Sequence, residues 1–192
     1  MQTLYKNAIL LLTGKSGSGK STIADELERI YHLKVLRSYT TRPPRVNDTS
    51  HTFVSDEEFN KLADIVAFTN YNGYRYCATA DQIDDCDVYV IDPAGVEFLK
   101  RNYHGSKRLI DVYIKAGRET RSKRMLGRGD KPDAVASRLD FDDRAFANYT
   151  PYAWINNGKK AELADVIQKI ARQFFIWNAA CDFADSYIGS NL

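Results

Sequence analysis

The chain has 192 residues, 44% of them hydrophobic, and a formal net charge of +2. That length fits one domain with a buried core, and near-neutrality leaves no global electrostatic reason for a nucleic-acid or membrane-surface partner. Cys77, Cys86 and Cys181 form neither a disulfide framework nor a C-x-x-C metal site, and no apolar run approaches a membrane span, so the expected setting is cytoplasmic.

An apolar run, Ala8 to Leu12, reads as a buried strand and leads into GKSGSGKST, Gly14 to Thr22. This stretch fits G-x-x-x-x-G-K-[ST] at every fixed position. Gly14, Gly17 and Gly19 let backbone N–H groups of the loop, including those of Ser16 and Ser18, turn inward around phosphate oxygens. Lys20 adds a mobile positive charge, Ser21 a hydroxyl for Mg2+, and the helix starting here its positive dipole end. Ile23, Leu27 and Ile30 then recur at helical spacing.

Lys34 to Ser38 reads as a second short strand, followed by the polar loop TTRPPRVNDTS with Arg42 and Arg45 around two stiffening prolines. Two arginines on a rigid loop suit bidentate capture of a phosphate or carboxylate. Ser55 with Glu58 is a capping box opening a short helix that buries Phe59 and Leu62. Val66 to Tyr71 and Tyr74 to Ala78 flank Asn72-Gly73, a strong hairpin signal, so a small antiparallel insert projects here. Val88 to Ile91 is a buried strand ending in Asp92, an acid placed to face Mg2+ through water. Pro93 opens a helix that stops before Gly105, and Leu109 to Ile114 is another strand.

Arg118 to Leu126 and Pro132 to Ala147 read as helices joined by a glycine-containing loop, Gly127 to Lys131, with Arg121, Arg124, Arg128, Arg138 and Arg144 spread across the three segments. A final strand, Tyr152 to Ile155, a turn at Asn156-Asn157-Gly158 and a helix from Lys160 to Trp177 close the pattern. His32, His51 and His104 lack metal-ligand spacing. Strands alternating with helices after a phosphate loop imply a parallel α/β sheet covered on both faces, with ligands at the carboxyl ends of its strands.

Four stretches, GKSGSGKST, SYTTRPPR (38 to 45), FVSDEEF (53 to 59) and RMLGRG (124 to 129) with Arg138, resemble the guanylate kinase family over nearly the whole chain up to residue 175. The resemblance implies a P-loop kinase fold in one domain over residues 1–192. It also implies a mixed α/β acceptor-binding insert at about 38–86, a helical lid at about 118–147, and ATP and Mg2+ as cofactors. By it Ser38, Arg42 and Arg45 hold the acceptor's phosphate, while Lys20, Arg124, Arg128 and Arg138 act on the phosphates in transit. Asn156 lies near adenine, Ser21 and Asp92 are the metal candidates, and the Asp92-Pro-Ala-Gly95 segment resembles the family's turn beside the acceptor, so Asp92 is a substrate-binding candidate as well. The acceptor is a small phosphate-bearing molecule, foremost a nucleoside monophosphate, and the protein is a monomer or homodimer without nucleic-acid or membrane partners.

The departures from the family pattern cluster where it reads guanine. Ala67 stands for a glutamate, Tyr76-Cys77-Ala78 for a Tyr-Gly-Ser or Tyr-Gly-Thr, His51 for an acceptor-phosphate tyrosine in a shortened loop, and Val90 for an aspartate. Thr69, Tyr71, Asn70, Asn72 and Thr79 are the nearby polar substitutes. The shortened loop with its histidine is also similar to that of the ribose 1,5-bisphosphate phosphokinases, which makes a sugar-phosphate kinase one alternative. A non-catalytic guanylate-kinase-like binding module is the other, and the intact phosphate loop argues against it.

Overall fold

The computed structural model describes residues 7–44, 48–71, 73–158 and 161–189, with side chains through residue 179. The apolar run before the glycine loop is β1 (Ala8–Thr13), buried throughout. Its alternation sends Ala8, Leu10 and Leu12 into one core and Ile9 and Leu11 into another. β1 pairs in parallel with β6 (Val88–Val90) on one side and β7 (Arg108–Lys115) on the other. β8 (Ala153–Asn156) extends the same parallel sheet beyond β7.

Helix α1 (Lys20–Tyr31) covers one face through Ile23, Ala24 and Leu27, with Val166, Ile167, Ile170 and Phe174 of α7 (Leu163–Gly189) beside it. Ile30 instead is 44% exposed, because the helix turns that position away from the sheet. The opposite face is covered by Val96 and Leu99 of α4 (Pro93–Asn102) and by the insert. A mostly parallel sheet with helical and insert cover on both faces is the architecture expected from the sequence.

The insert is a second sheet in the order β3-β2-β5-β4, formed by β2 (Tyr39–Thr40), β3 (Thr52–Phe53), β4 (Ile65–Tyr71) and β5 (Tyr74–Thr79). β2 and β3 are parallel and the other pairings antiparallel. Asn72 lies outside the described residues, while Gly73 takes the left-handed conformation its hairpin needs (φ 78). Ser55 and Glu58 form the expected reciprocal cap on α2 (Asp56–Phe59). The segment expected as the lid forms α5 (Arg118–Gly127) and α6 (Pro132–Ala145), held together around Met125, Val135 and Leu139.

Three boundaries differ from expectation. Lys34 to Ser38 is not a strand: Val35 makes a single bridge to Val88, with Leu36 donating to the Val88 carbonyl, before the chain crosses to the insert. A short helix, α3 (Ala80–Asp85), follows β5, capped by Thr79, whose hydroxyl accepts from the Gln82 amide. α7 continues past Trp177 to Gly189. No described helix is long and apolar enough to cross a membrane.

Candidate functional site

β1 delivers the chain to Gly14 at the carboxyl edge of the parallel sheet, and α1 begins at Lys20. Gly14 (φ 145) and Gly19 (φ 97) hold left-handed conformations. A Cβ at Gly14 would lie 2.6 Å from the Ile114 carbonyl oxygen, and one at Gly19 would lie 2.6 Å from Asn157 Nδ2. The loop therefore lies directly against β7 and the end of β8, and only hydrogen fits there. Asn157 Nδ2 donates to the Ser18 carbonyl at 2.8 Å while its own amide donates to Lys115. The Ser18 hydroxyl is buried without a partner in the structure.

Lys20 Nζ donates to the Gly14 carbonyl at 2.6 Å and the Lys15 carbonyl at 3.3 Å. Burial lowers its pKa to about 8, against the pull of Asp142 and then Asp92, which favour the charged form. Ser21 and Thr22 open α1 with exposed side chains. Asp92 caps α4, its Oδ1 accepting from the Gly95 amide at 2.8 Å.

The lid crosses this loop through charge. Arg124 Nη1 reaches the Ser18 carbonyl at 3.3 Å and the Gly17 carbonyl at 3.5 Å. Arg128 and Arg138 converge on Asp130, at 2.7 Å and 3.0 Å. From α6, Asp142 Oδ2 accepts from the Ser16 amide at 2.7 Å, and Asp143 pairs with Lys15 at 2.5 Å. Arg121, buried on α5, sits 3.3 Å from Asp142 and 3.5 Å from Asp143. Beyond α6, Tyr149 donates to Asp111, which also accepts from Thr13 at 2.8 Å, tying the lid's exit to the sheet.

The insert faces the loop across a cavity of about 460 Å³. Its wall includes Gly14, Ser16, Lys20, Ser38, His51, Thr69, Tyr71, Tyr76, Asp92 and Asp142. Ser38 Oγ lies 2.9 Å from His51 Nδ1, and Tyr76 meets the imidazole edge-on at 5.4 Å. Burial, reinforced by the Arg42 charge, lowers the His51 pKa to about 4, so the ring is neutral near pH 7. Arg42 donates to Asp48 at 2.6 Å and to the Pro43 carbonyl at 3.0 Å, with its guanidinium 5.3 Å from the Phe53 ring centre. Tyr71 packs edge-on against Phe141 of the lid at 5.1 Å.

Eight residues expected at the site thus share one cavity wall: Gly14, Ser16, Lys20, Ser38, His51, Thr69, Tyr76 and Asp92. Arg124 is off that wall and reaches the loop's Gly17 and Ser18 carbonyls, Arg42, Arg128 and Arg138 are held by acidic partners, and Arg45 lies outside the described residues. Asn156 ends β8 exposed, its Oδ1 accepting from the Gly158 amide at 3.1 Å. Sequence reasoning passed over Asn157, Arg121 and Asp142 as site members. The arginine run marked Arg121, more weakly, as charge on a helix, but no local pattern marks Asn157 or Asp142.

The chain matches the AAA domain family model over residues 10–145. It is 32% identical to the guanylate kinase of Synechocystis over 152 residues, which is 72% of this chain and 78% of that one. It is 31% identical to a guanylate kinase of Helicobacter pylori over 146 residues, 68% of this chain and 69% of the relative. Among solved structures, the guanylate kinase from Anaplasma phagocytophilum superposes with a TM-score of 0.63 at 19% identity, covering 91% of this chain and 87% of that one. With the phosphate loop, the insert and the lid arranged around one cavity, these likenesses establish that the chain belongs to the guanylate kinase family, as a divergent member.

Proposed function

We propose that the protein transfers the γ-phosphoryl group of ATP to the phosphate of a nucleoside or deoxynucleoside monophosphate. The observation that carries this reading is the shared cavity: the phosphate loop and the insert's polar groups line the same space of about 460 Å³. A donor's terminal phosphate and an acceptor's phosphate fit there side by side. In the step, an acceptor phosphate oxygen bonds to the γ-phosphorus while the bond to the bridging oxygen breaks, and its electron pair leaves with ADP. Such an acceptor is already anionic, so no protein base is needed.

Lys20, the loop amides and Arg124 neutralise charge spreading over the transferring group, and Arg128 and Arg138 join on exchanging Asp130 for phosphate. Ser38, His51 and Tyr76 orient the acceptor's phosphate as neutral hydrogen-bonding groups, with Arg42 and Arg45 supplying charge. The cradle fits a nucleotide, because the loop is threaded where no Cβ fits and keeps the Ser18 hydroxyl unpartnered. Mg2+ supplies further charge neutralisation when bound. Ser21 and the remaining oxygen of Asp92 are its candidate partners on this chain, and among the described residues no cluster of three acids, cysteines or histidines forms a cage of its own.

Base selection differs from a guanine reader in this proposal. Ala67 and Ala78 are 1% and 0% exposed, packed into the core beneath the insert, and offer no polar side-chain group. Thr79 is committed to capping α3. Polar readers of a substrate edge can be worth about 10⁴-fold in discrimination, so their loss leaves selectivity to shape and to Thr69 and Tyr71. Measuring kcat/KM for GMP, dGMP, AMP, dTMP, dCMP and ribose 1,5-bisphosphate side by side tests the proposal. Turnover of one or more monophosphates without strong GMP preference is expected. A GMP preference near a thousandfold, an estimate set by lost polar readers, overturns the base assignment, and turnover of the sugar bisphosphate alone overturns the acceptor class.

The lowered pKa of Lys20 gives a second test. Bound phosphates favour the charged amine, so the complex holds a proton that the free protein has partly released above its pKa of about 8. ATP affinity is therefore level below that pH and declines above it, by at most about tenfold per pH unit. Calorimetry at pH 8.5 in buffers of different ionisation enthalpy should register proton uptake, and its absence there removes Lys20 from the phosphates.

A further inference from the structure

We propose that Asp142 stands in the place of the transferred phosphoryl group, and that Arg121 is the arginine this group meets once the carboxylate gives way. The inference rests on the phosphoryl-transfer reading. Asp142 is 5% exposed, yet it comes from the lid and not from the core of the sheet. Its Oδ2 takes the Ser16 amide at 2.7 Å and its Oδ1 the Ser16 hydroxyl at 3.3 Å. These are donors on the first half of the phosphate loop, and an anion is what such donors bind. Asp142 also lines the same cavity as Gly14 and Lys20, so its negative charge lies where a phosphate oxygen has to go.

Arg121 is underused for a buried guanidinium. It is 2% exposed, its two carboxylate contacts are 3.3 and 3.5 Å long, and its Nε is buried without a partner. Charge-assisted guanidinium contacts are normally about 2.7–2.9 Å. A phosphoryl group has three acceptor oxygens where a carboxylate has two, so one arriving at Asp142's position can close this spare capacity. Asp143 stays paired throughout, because Lys15 at 2.5 Å and Arg118 also hold it. The exchange therefore removes one carboxylate from the loop without stranding its neighbour. No proton passes through either residue.

A merely structural ion pair between α5 and α6 predicts different behaviour. Asp142→Asn keeps the shape and an acceptor for the Ser16 amide but weakens the competitor for the loop. Titration calorimetry with Mg2+-ATP should give binding about tenfold tighter than wild type. Unchanged or weaker binding overturns the proposal. Arg121→Lys keeps a cation against Asp142 and loses the fork, so a structural role is rescued and a phosphoryl-contacting role is not. The expected result is a melting temperature near wild type and kcat lower by about 100-fold. Wild-type kcat in that variant also overturns the proposal, and if it fails to fold, the Asp142→Asn titration decides alone. Wild-type protein that binds ATP but turns over no acceptor counts against the transferase reading, while the titration still decides the role of Asp142.

Discussion

Replacing Lys20 with alanine leaves a folded protein whose phosphoryl transfer is slower by about a thousandfold, close to 4 kcal/mol of lost transition-state stabilisation. The fold survives because the amine's contacts are to the Gly14 and Lys15 carbonyls of its own loop. Its lowered pKa has the same meaning: folding disfavours the charged amine, a cost that is present below the folded pKa of about 8 and fades as pH rises toward the unfolded value. Removing the amine therefore sacrifices no folding energy at neutral pH. The chemistry suffers because Lys20 supplies the loop's own ammonium on the cavity wall, and Arg124, which reaches the Gly17 and Ser18 carbonyls, is not on that wall. ADP release and thermal melting on the same preparation check both halves, and near-normal turnover would falsify the role given to Lys20.

Replacing Gly14 with alanine strikes the same loop through the backbone. The position has φ 145, and its new Cβ would sit 2.6 Å from the Ile114 carbonyl oxygen and 2.9 Å from Ser18 Oγ. The nearer atom belongs to the central sheet and cannot swing aside as a flexible side chain could. Strained dihedral and overpacking together cost about 3 kcal/mol, or roughly 6–12 °C in melting temperature for a chain of this size. ATP affinity falls as well, because the relief available is to lift the loop off β7. Gly117→Ala is the control, since nothing lies within 4 Å of its Cβ and its φ is −63. Equal melting temperatures for the two variants would remove the close-approach argument.

What the sequence made legible was what is written in short-range spacing. The phosphate loop, the Ser55 cap and the Gly73 hairpin each need only neighbours a few residues apart, and each appears where expected. The same logic could have found α3, because Thr79 and Gln82 form a capping box of the same kind as Ser55 and Glu58. Asn157 and Asp142 were beyond that reach: they meet the loop from 139 and 126 residues away. Their side chains matter only through the register of β8 on β7 and the seating of α6. Arg121 was read as one of several lid charges, since a helical face of arginines looks alike whether solvated or buried. The strand expected over Lys34 to Ser38 failed for a related reason: the run is apolar enough to pack at Val35 and Leu36, yet it spends itself crossing between two sheets.

β1 feeds two cores at once, with alternate side chains on opposite faces and ladders on both edges. No part of it can detach without opening both, so its amides exchange with solvent only when the whole body unfolds. The lid has a far smaller anchorage in Met125, Val135 and Leu139. It can open as a separate, low-energy unit, at a rate set by exchanging ion pairs and sensitive to ionic strength. The phosphate loop joins the most slowly exchanging strand to a helix beneath the most easily opened element, so the fold separates a rigid anvil from a moving cover at Gly14.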